Sequence, residues 1–581
     1  MNRRAPRAGG SWAGAMAGRH QAGQTARTPL PEYLFMRSHS FSRPTPWVSV
    51  SWRCGAISLA ALLLGLTLGQ GAGAAPSCSG NCSIGSTLRV GSDGGGDGSL
   101  LLGPGDRLAV PGQGLVGAFG PSRGELRVIG AAAELALGGV SGSTFGVGQG
   151  GGTGHLEVLD GALLTVDAFN NAPNFGDARF YLGRGGNGTA LLARGGHLLV
   201  QDRGGFGADD DIMIGRSDGA FAGDGTLAVR EGGQLTLRGN SAYLNVGNAN
   251  LSFAGPEPGR GELWVQAGGR VRVDGTTSEG GFHIGRGDRS SGLVVVEGAG
   301  SRIDITGQFA SLWVANAFSA TSHLGSGSGR LLVRDGGVLS FQPSHAGAAN
   351  HTQMVIGLGL GQGLVEVQAG GRIEMPGALR ISNRLGTDNL QSGRLVIEEG
   401  GVVQATRTVV GDGLRDLENG VLSGDGLLIG ALQVQRGGVV RPGLSPGVLT
   451  VQGNASFAEG AGLVLEVHGL GAGQSDLLNV QGNLNFGAGA WIELAFGQGY
   501  LPRAGDRLTI LQAHAVDGLN PAQWRVSGVA EGFEFALSLQ GGSLQWQALN
   551  DAHPVPEPQT WMLLLLGLAA FSHRLRKRAA R

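Results

Sequence analysis

The chain has 581 residues, of which 112 are glycine and 41 % are hydrophobic. Its glycine and proline content stays below the roughly 25–30 % typical of low-complexity chains, and its apolar content is too high for a disordered chain. The net charge of −1 is unevenly distributed: residues 1–53 carry +7 and residues 559–581 carry +5, which leaves −13 for the residues between them. An acidic body argues against a nucleic-acid partner, which requires a basic face.

The N-terminal residues are predicted to direct export. Residues 1–35 form a basic, low-complexity extension, and Met36 after them is a candidate for the true start. Residues 36–74 then combine arginines, a short apolar run and the small residues Ala72 and Ala74. This order of features is typical of a secretory signal peptide that is cleaved after the small residues.

Cysteine usage agrees with export. Cys54 would leave with the signal, so only Cys78 and Cys82 remain in the mature chain. In an oxidising compartment these two are expected to form a local disulfide. Two thiolates do not complete a structural zinc site, which usually needs four ligands, so we expect no metal and no cofactor.

One glycine-rich phrase recurs between residues 100 and 440. Its clearest copy occupies residues 282–287, with Ile284 before a glycine, and continues in residues 292–298 with a G-x-V-x-V strand. A repeat of this length, about 35 residues, indicates a stacked architecture. The glycines that follow the middle strand of each copy lie 30 to 38 residues apart, at Gly161, Gly195, Gly232, Gly268, Gly298, Gly336, Gly370, Gly400 and Gly437.

Each copy contains three short segments in which apolar and polar residues alternate. This period of two places Leu, Val and Ile on one face of a strand, and that face can be covered only by stacked neighbouring repeats. We therefore predict an all-β, right-handed parallel β-helix, or β-solenoid, over residues 75–512, about 60 Å long for a dozen coils. A β-propeller is the main alternative, but its blades need four strands and about 40–45 residues.

The phrase changes after Gly437. Residues 442–451 read Pro-Gly-x-Ser-Pro-Gly-x-Leu-x-Val, and further apolar strands follow. Residues 437–512 resemble the C-terminal coils of autotransporter passenger domains. An autotransporter also needs a membrane barrel of many strands, for which too few residues remain. Residues 513–548 are less repetitive and are predicted to cap the stack and cover its last edge.

The last segment, residues 549–581, has three parts in a fixed order. A Pro-Glu-Pro motif is followed by an apolar helix and then by a basic cluster, which by the positive-inside rule stays cytoplasmic and places the rest of the chain across the membrane. The motif consists of Val555, Pro556, Glu557 and Pro558; the predicted membrane anchor includes Trp561, Leu563, Leu564, Leu565, Leu566 and Phe571; the basic cluster comprises Arg574, Arg576, Lys577 and Arg578.

This tail resembles the PEP-CTERM sorting signal of Gram-negative bacteria. The resemblance implies that an exosortase is a partner, that the tail is cut at the Pro-Glu-Pro motif, and that the released protein belongs to the cell surface or an extracellular polysaccharide matrix. The apolar run is nearer a dozen residues than the roughly 20 that span a bilayer. The alternative is a permanent C-terminal membrane anchor that is never cut.

An enzyme is a second class of function for this scaffold, because β-helices also carry polysaccharide lyases and glycoside hydrolases, which need paired carboxylates or an acidic cluster beside a base. The best acidic cluster is Asp209-Asp210-Asp211, a candidate calcium site whose simpler interpretation is a solvated corner between coils. The histidines are expected to be isolated polar residues that face outward: His155, His197, His283, His351 and His468.

These observations predict a non-catalytic structural protein that is exported, anchored as a precursor in the inner membrane, and then released to the cell surface or matrix. Its expected partners are an exosortase, the membrane before processing, and extracellular polysaccharide. Two alternatives stay open. One is a polysaccharide-active lyase or hydrolase on the same scaffold. The other is a host- or cell-binding adhesin; the chain also contains an integrin-type tripeptide, Arg286-Gly287-Asp288.

Overall fold

The computed structural model describes most of the chain between residues 76 and 554. No α-helix occurs in that part, and none of its helical segments is long and apolar enough to cross a bilayer. The signal, with Ala72 and Ala74, and the tail from Val555 to the C terminus lie outside the described residues. The described ranges are 76–92, 96–138, 142–168, 177–202, 209–218, 220–249, 257–276, 278–287, 289–317, 327–344, 351–359, 361–383, 392–414, 418–497 and 499–554.

The described strands wind through three rows, and each strand pairs in parallel with its equivalents in the preceding and following coils. Row 1 contains fifteen strands joined by fourteen parallel pairings, which at about 4.8 Å a step extend over about 67 Å. Its strands are β4 (Gly98–Leu102), β7 (Arg123–Ile129), β10 (Thr153–Leu159), β13 (Asn187–Ala193), β16 (Gly223–Arg230), β19 (Gly259–Gln266), β22 (Ser291–Glu297), β25 (Ser328–Arg334), β28 (Gln362–Val367), β31 (Ser392–Ile397), β33 (Gly420–Gly424), β35 (Gly438–Pro442), β38 (Gly462–Val467), β40 (Trp491–Phe496) and β42 (Trp524–Ser527).

Rows 2 and 3 form the other two sides of each coil. Row 2 contains β5 (Arg107–Val110), β8 (Glu134–Gly138), β11 (Leu163–Ala168), β14 (His197–Asp202), β17 (Gln234–Gly239), β20 (Arg270–Gly275), β23 (Arg302–Gly307), β26 (Val338–Pro343) and β29 (Arg372–Glu374). Row 3 contains β3 (Thr87–Ser92), β6 (Gln113–Ala118), β9 (Ser143–Gln149), β12 (Ala178–Arg184), β15 (Asp209–Arg216), β18 (Ser241–Asn248), β21 (Glu279–Arg286), β24 (Phe309–Ala317), β27 (Gln353–Gly359) and β30 (Ala378–Asn383).

Rows 2 and 3 merge toward the C-terminal end. Strand β32 (Val402–Val410) pairs with β29 through its first residues and with β30 through its last. The merged sides continue in β34 (Leu427–Val434), β36 (Val448–Gln452), β37 (Ala455–Phe457), β39 (Leu477–Phe486) and β41 (Arg507–Asp517), and a short 3₁₀ helix (Pro521–Gln523) precedes β42.

The core is the interior of the coils. In β16 the alternating pattern places Leu227 and Val229 inward, both fully buried, while Thr226 and Ala228 face outward. Each inward residue stacks on its equivalents one coil away, as Leu227 does between Ala190 and Leu263. One repeat alone cannot cover these apolar faces, so the stack is what makes the core continuous. The predicted all-β solenoid of parallel strands is confirmed, and its handedness stays a prediction.

A column of glycines brings rows 1 and 3 into direct backbone contact. A Cβ on Gly225 would lie 2.3 Å from the carbonyl oxygen of Leu182 and 2.4 Å from the amide nitrogen of Gly215, so no side chain fits there. The column explains much of the high glycine content. It consists of Gly98, Gly124, Gly154, Gly188, Gly225, Gly261, Gly292, Gly329, Gly363, Gly393, Gly420 and Gly438, each paired with the next.

Both ends of the stack carry antiparallel strands. At the N-terminal end, β1 (Ser77–Gly80) pairs with β4, β2 (Cys82–Ser83) pairs with β3, and the sulfurs of Cys78 and Cys82 are bonded to each other. At the other end, β43 (Phe535–Gln540) and β44 (Ser543–Ala548) form a hairpin whose second strand covers β41. Parallel pairing continues past residue 512, through β41 and β42, so the antiparallel cap is shorter than the predicted 513–548.

Candidate functional site on the outer face of row 3

The lengths of the connections distinguish row 3 from the other two rows. Between β13 and β14, in the passage from row 1 to row 2, the connection has three residues, 194–196. The connections that enter and leave row 3 vary widely in length, from one residue between β17 and β18 to nine between β11 and β12 and ten between β18 and β19. Because binding residues concentrate where loops flank a rigid scaffold, row 3 is the first place to look for a site.

Five side chains form a ladder on the outer face of row 3, at equivalent positions of successive coils. Four of them are buried although they face away from the core, with exposed fractions of 3, 8, 0 and 5 % from the first to the fourth, and the fifth is half-buried. Outward residues of a solenoid usually remain solvated, so this burial marks a built feature. The ladder consists of Tyr181, Met213, Asn245, His283 and Trp313.

A hydrogen-bond network runs through the middle of this ladder. His283 Nδ1 lies 3.0 Å from Asn245 Oδ1, and Arg286 Nη1 donates to the same oxygen at 3.4 Å. Asn245 Nδ2 in turn donates to Asp211 Oδ1 at 3.5 Å. Burial, reinforced by the charge of Arg286, holds the pKa of His283 well below its ordinary value. His283 is therefore a neutral ring at neutral pH.

Aromatic rings and a half-buried carboxylate surround the network. His283 meets Trp313 edge-on, with ring centroids 4.7 Å apart. Glu279 accepts hydrogen bonds from the hydroxyls of Tyr243 at 2.9 Å and Ser311 at 2.6 Å, which ties three neighbouring coils together. These contacts fix the side chains of the outer face in one arrangement, as a binding surface requires.

Two arginines cover the first ring of the ladder. The guanidinium carbon of Arg184 lies 4.9 Å from the ring centroid of Tyr181, and that of Arg216 lies 5.9 Å from it. Both are cation–π distances. This end of the face therefore combines positive charge with an aromatic surface.

The predicted acidic cluster does not form a corner. Asp209, Asp210 and Asp211 are the first three residues of strand β15 and pair with Ser241, Ala242 and Tyr243 of β18. The interpretation of these residues as a corner between coils was therefore wrong, because the strand already begins at Asp209. No group of three or more histidine, cysteine, aspartate or glutamate side chains in the described ranges is arranged to hold a metal ion.

The structure places the five histidines apart from one another, and His283 differs most from its expected environment. His155 and His197 meet threonine hydroxyls one coil away, at 2.8 and 3.0 Å. His283 faces outward as expected but is buried in the ladder. His351 meets the ring of Phe309 edge-on at 5.1 Å.

A second polar cluster lies around the Pro-Gly-x-Ser-Pro-Gly motif. Both carboxyl oxygens of Asp476 accept backbone N–H groups, from Gly447 at 2.9 Å and from Glu466 at 2.8 Å. Burial raises the pKa of Asp476 to about 7. Glu466 also accepts from the hydroxyl of Ser445 at 2.7 Å and lies 3.7 Å from His468 Nε2. These hydrogen bonds hold the motif against the next coil, so the cluster has a structural role.

Two open grooves lie elsewhere on the stack. One, of about 400 Å³, is lined by polar residues near the N-terminal end of row 1, including Arg123, Glu125 and His155. The other, of about 480 Å³, follows the outer face of row 2 beside Thr165. Neither contains the residues of the row 3 ladder.

No family model and no curated protein matches this chain. A match among solved structures is the crystal structure of a TibC-catalysed hyper-glycosylated TibA55-350 fragment, at 14 % identity and a TM-score of 0.25. The alignment covers 67 % of this chain and 98 % of that one. At this TM-score the likeness supports no inference, and the site has to be argued from its own residues.

Sequence reasoning missed the row 3 ladder. The signal was present: each ladder residue from Tyr181 to His283 stands directly before an apolar residue and a glycine, in the phrase x-[LIV]-G. Aligning the copies on that glycine places Tyr181, Met213, Asn245 and His283 in one column. In the sequence alone, that column looks like a set of ordinary outward positions.

Proposed function

We propose that this chain is an exported, non-catalytic surface or matrix protein, in which a long β-solenoid is the working part and the C-terminal tail is a removable sorting signal. The observation that carries the proposal is the continuous stack of coils from β4 to β42, closed at both ends by antiparallel strands. Such a stack provides length and a regular surface, as a structural protein requires.

Two features of the chain support export. The order of basic residues, apolar run, Ala72 and Ala74 is that of a secretory signal. The bond between Cys78 and Cys82 persists in an oxidising compartment such as the periplasm or the cell exterior. The mature part carries −13, which keeps an extracellular rod soluble.

The tail supplies the sorting part of the proposal. An exosortase partner would recognise Pro556-Glu557-Pro558 while the following apolar helix holds the precursor in the inner membrane. Cleavage then releases the rod to the cell surface or matrix.

Substitution of the motif tests this proposal. The triple variant P556A/E557A/P558A is compared with P256A/E257A/P258A, which changes the same three residue types within the body. We expect the first variant to accumulate as a membrane-bound precursor in the cells of origin, and the control to reach the cell surface or medium as the unaltered chain does. Unchanged release of the first variant would contradict processing at the motif.

A further inference from the structure

One edge of the row 3 face holds arginines without carboxylate partners among the described residues. Arg184, Arg216 and Arg286 occupy one equivalent position, which is asparagine in the coils between and after them, at Asn248 and Asn316. Arg184 and Arg216 are one coil apart and Arg216 and Arg286 are two, which places their backbones about 4.8 and about 9.6 Å apart along the stack.

Several arginines elsewhere on the stack pair with carboxylates. Arg127 on row 1 lies 2.7 Å from Glu157 one coil away, and Arg330 lies 2.6 Å from Glu366. At the turn after row 1, Arg194 makes a two-pronged contact with Asp160, at 2.5 and 3.1 Å. A carboxylate one coil away is thus a frequent partner of the arginines outside row 3.

The row 3 arginines instead contact uncharged groups. Arg286 donates to Asn245, and Arg216 Nη1 lies 3.1 Å from the sulfur of Met213, a weak acceptor. The Nε atom of Arg216 is buried without a hydrogen-bond partner in the described part of the chain. All three side chains are half-buried, so their charges lie close together in a partly desolvated surface.

Such an arrangement is stable only with a counter-charge, because like charges at this spacing repel and their burial costs hydration. Asp211 is the acidic group of the hydrogen-bond network, and its charge acts on Arg216. A ligand with anionic groups that repeat along the stack would supply further negative charge.

We propose that the ridge formed by Arg184, Arg216 and Arg286 binds an extended anionic polysaccharide along the axis of the solenoid. The guanidinium groups would bind carboxylate or sulfate groups, since arginine forms paired hydrogen bonds with planar oxyanions. The half-buried ring of Trp313, on the same face, would supply a flat apolar surface on which a sugar ring packs.

A nucleic acid is less suitable for this ridge. Nucleic-acid-binding domains are usually basic overall, whereas these three arginines lie on a body of charge −13. This inference rests on the proposed function, because a surface or matrix rod meets such polysaccharides outside the cell. Binding by the purified chain is measured separately from processing of the tail, so either claim can fail alone.

The test compares two triple variants of the full chain, purified in detergent, that change net charge equally. R184Q/R216Q/R286Q removes the ridge, and R127Q/R194Q/R330Q removes three carboxylate-paired arginines elsewhere. The probes are alginate for carboxylates, chondroitin sulfate for sulfates, dextran as a neutral glycan, and a single-stranded DNA oligonucleotide. Affinity is measured at low and at physiological salt, and far-UV circular dichroism checks the fold of each variant.

We expect alginate or chondroitin sulfate to bind, salt to weaken the binding, and the ridge variant to lose affinity at least about tenfold, since hydrogen bonds to charged groups are the stronger kind. The control should change less than about twofold, because its arginines are already paired. Both glycans carry carboxylates, so tighter binding of chondroitin sulfate than of alginate would indicate an added contribution from sulfate. If the ridge variant does not fold, R184Q alone should weaken binding in the same direction.

Three results would overturn the inference. Equal losses in the two triple variants would mean that only net charge matters. Binding of dextran as tightly as the acidic glycans would remove the role of charge. Tighter binding of the oligonucleotide than of either acidic glycan would identify a nucleic acid as the ligand class.

Discussion

The glycine column gives the sharpest structural prediction. Gly225 lies where row 1 meets the backbone of row 3, and a Cβ there would fall within 2.5 Å of two backbone atoms, Leu182 O and Gly215 N. Overpacking a core costs about 1–3 kcal/mol when neighbouring side chains can move. Here the neighbours are paired backbone, so two rows must separate, and we expect Gly225→Ala to cost about 3 kcal/mol or more.

Gly232 in the same coil is the matched control. It has a φ of +74°, and the nearest atom to a Cβ there is Gly195 N at 4.0 Å, so an alanine would meet backbone strain but no clash. That strain costs about 1–2 kcal/mol. Comparing the two substitutions thus separates the cost of a backbone clash from the cost of backbone strain.

Urea unfolding followed by circular dichroism measures the effect, and the midpoint is used because a long repeat array need not unfold in one step. Hydrogen exchange then shows which strands are destabilised. We expect a larger fall of the midpoint in Gly225→Ala than in Gly232→Ala, with faster exchange in β12, β13 and β15. An equal or smaller fall in Gly225→Ala would refute the claim that the column sets the spacing between rows 1 and 3.

Two further predictions concern the row 3 face and the C-terminal cap. Because the pKa of His283 is lowered in the folded chain, the unfolded chain binds an extra proton as the pH falls below about 6.5, so His283 should lower stability in that range. We expect His283→Asn to reduce the fall in the unfolding midpoint between pH 7 and pH 5. An unchanged pH dependence of the midpoint would contradict a buried neutral ring. In the cap, Trp546 is 1 % exposed and packs beside Phe496, so Trp546→Ala should cost about 3–5 kcal/mol locally and speed hydrogen exchange in β41. Leu539 on the same hairpin is 47 % exposed, so Leu539→Ala should change hydrogen exchange little. Equal effects of the two substitutions would show that the cap does not cover the stack.

The repeating part of the fold was predictable because its physical cause is periodic. Alternating apolar residues and corner glycines recur in every copy, so the parallel stack and its three strands per coil follow from the sequence. The limits of the cap were harder to place, because the residues from 513 to 527 lose the glycine phrase and still pair in parallel with β39 and β40.

The candidate site was less predictable because it depends on the register between coils. Arg184, Arg216 and Arg286 lie 32 and 70 residues apart, and each follows a copy of the phrase x-[LIV]-G, which asparagine follows in the copy that ends at Asn248. Only the pairing of β12, β15, β18 and β21 places them on one edge. Burial of an outward histidine likewise depends on neighbours from adjacent coils, which no window of the sequence contains.

The central functional claim is that this rod leaves the cell after losing its tail. Mass spectrometry of the C-terminal peptide, on protein recovered from the surface or medium of the cells of origin, tests it most directly. The account predicts a chain that ends at or near Val555–Pro558 and lacks Arg574–Arg578. Recovery of surface protein that still carries Arg581 would contradict it.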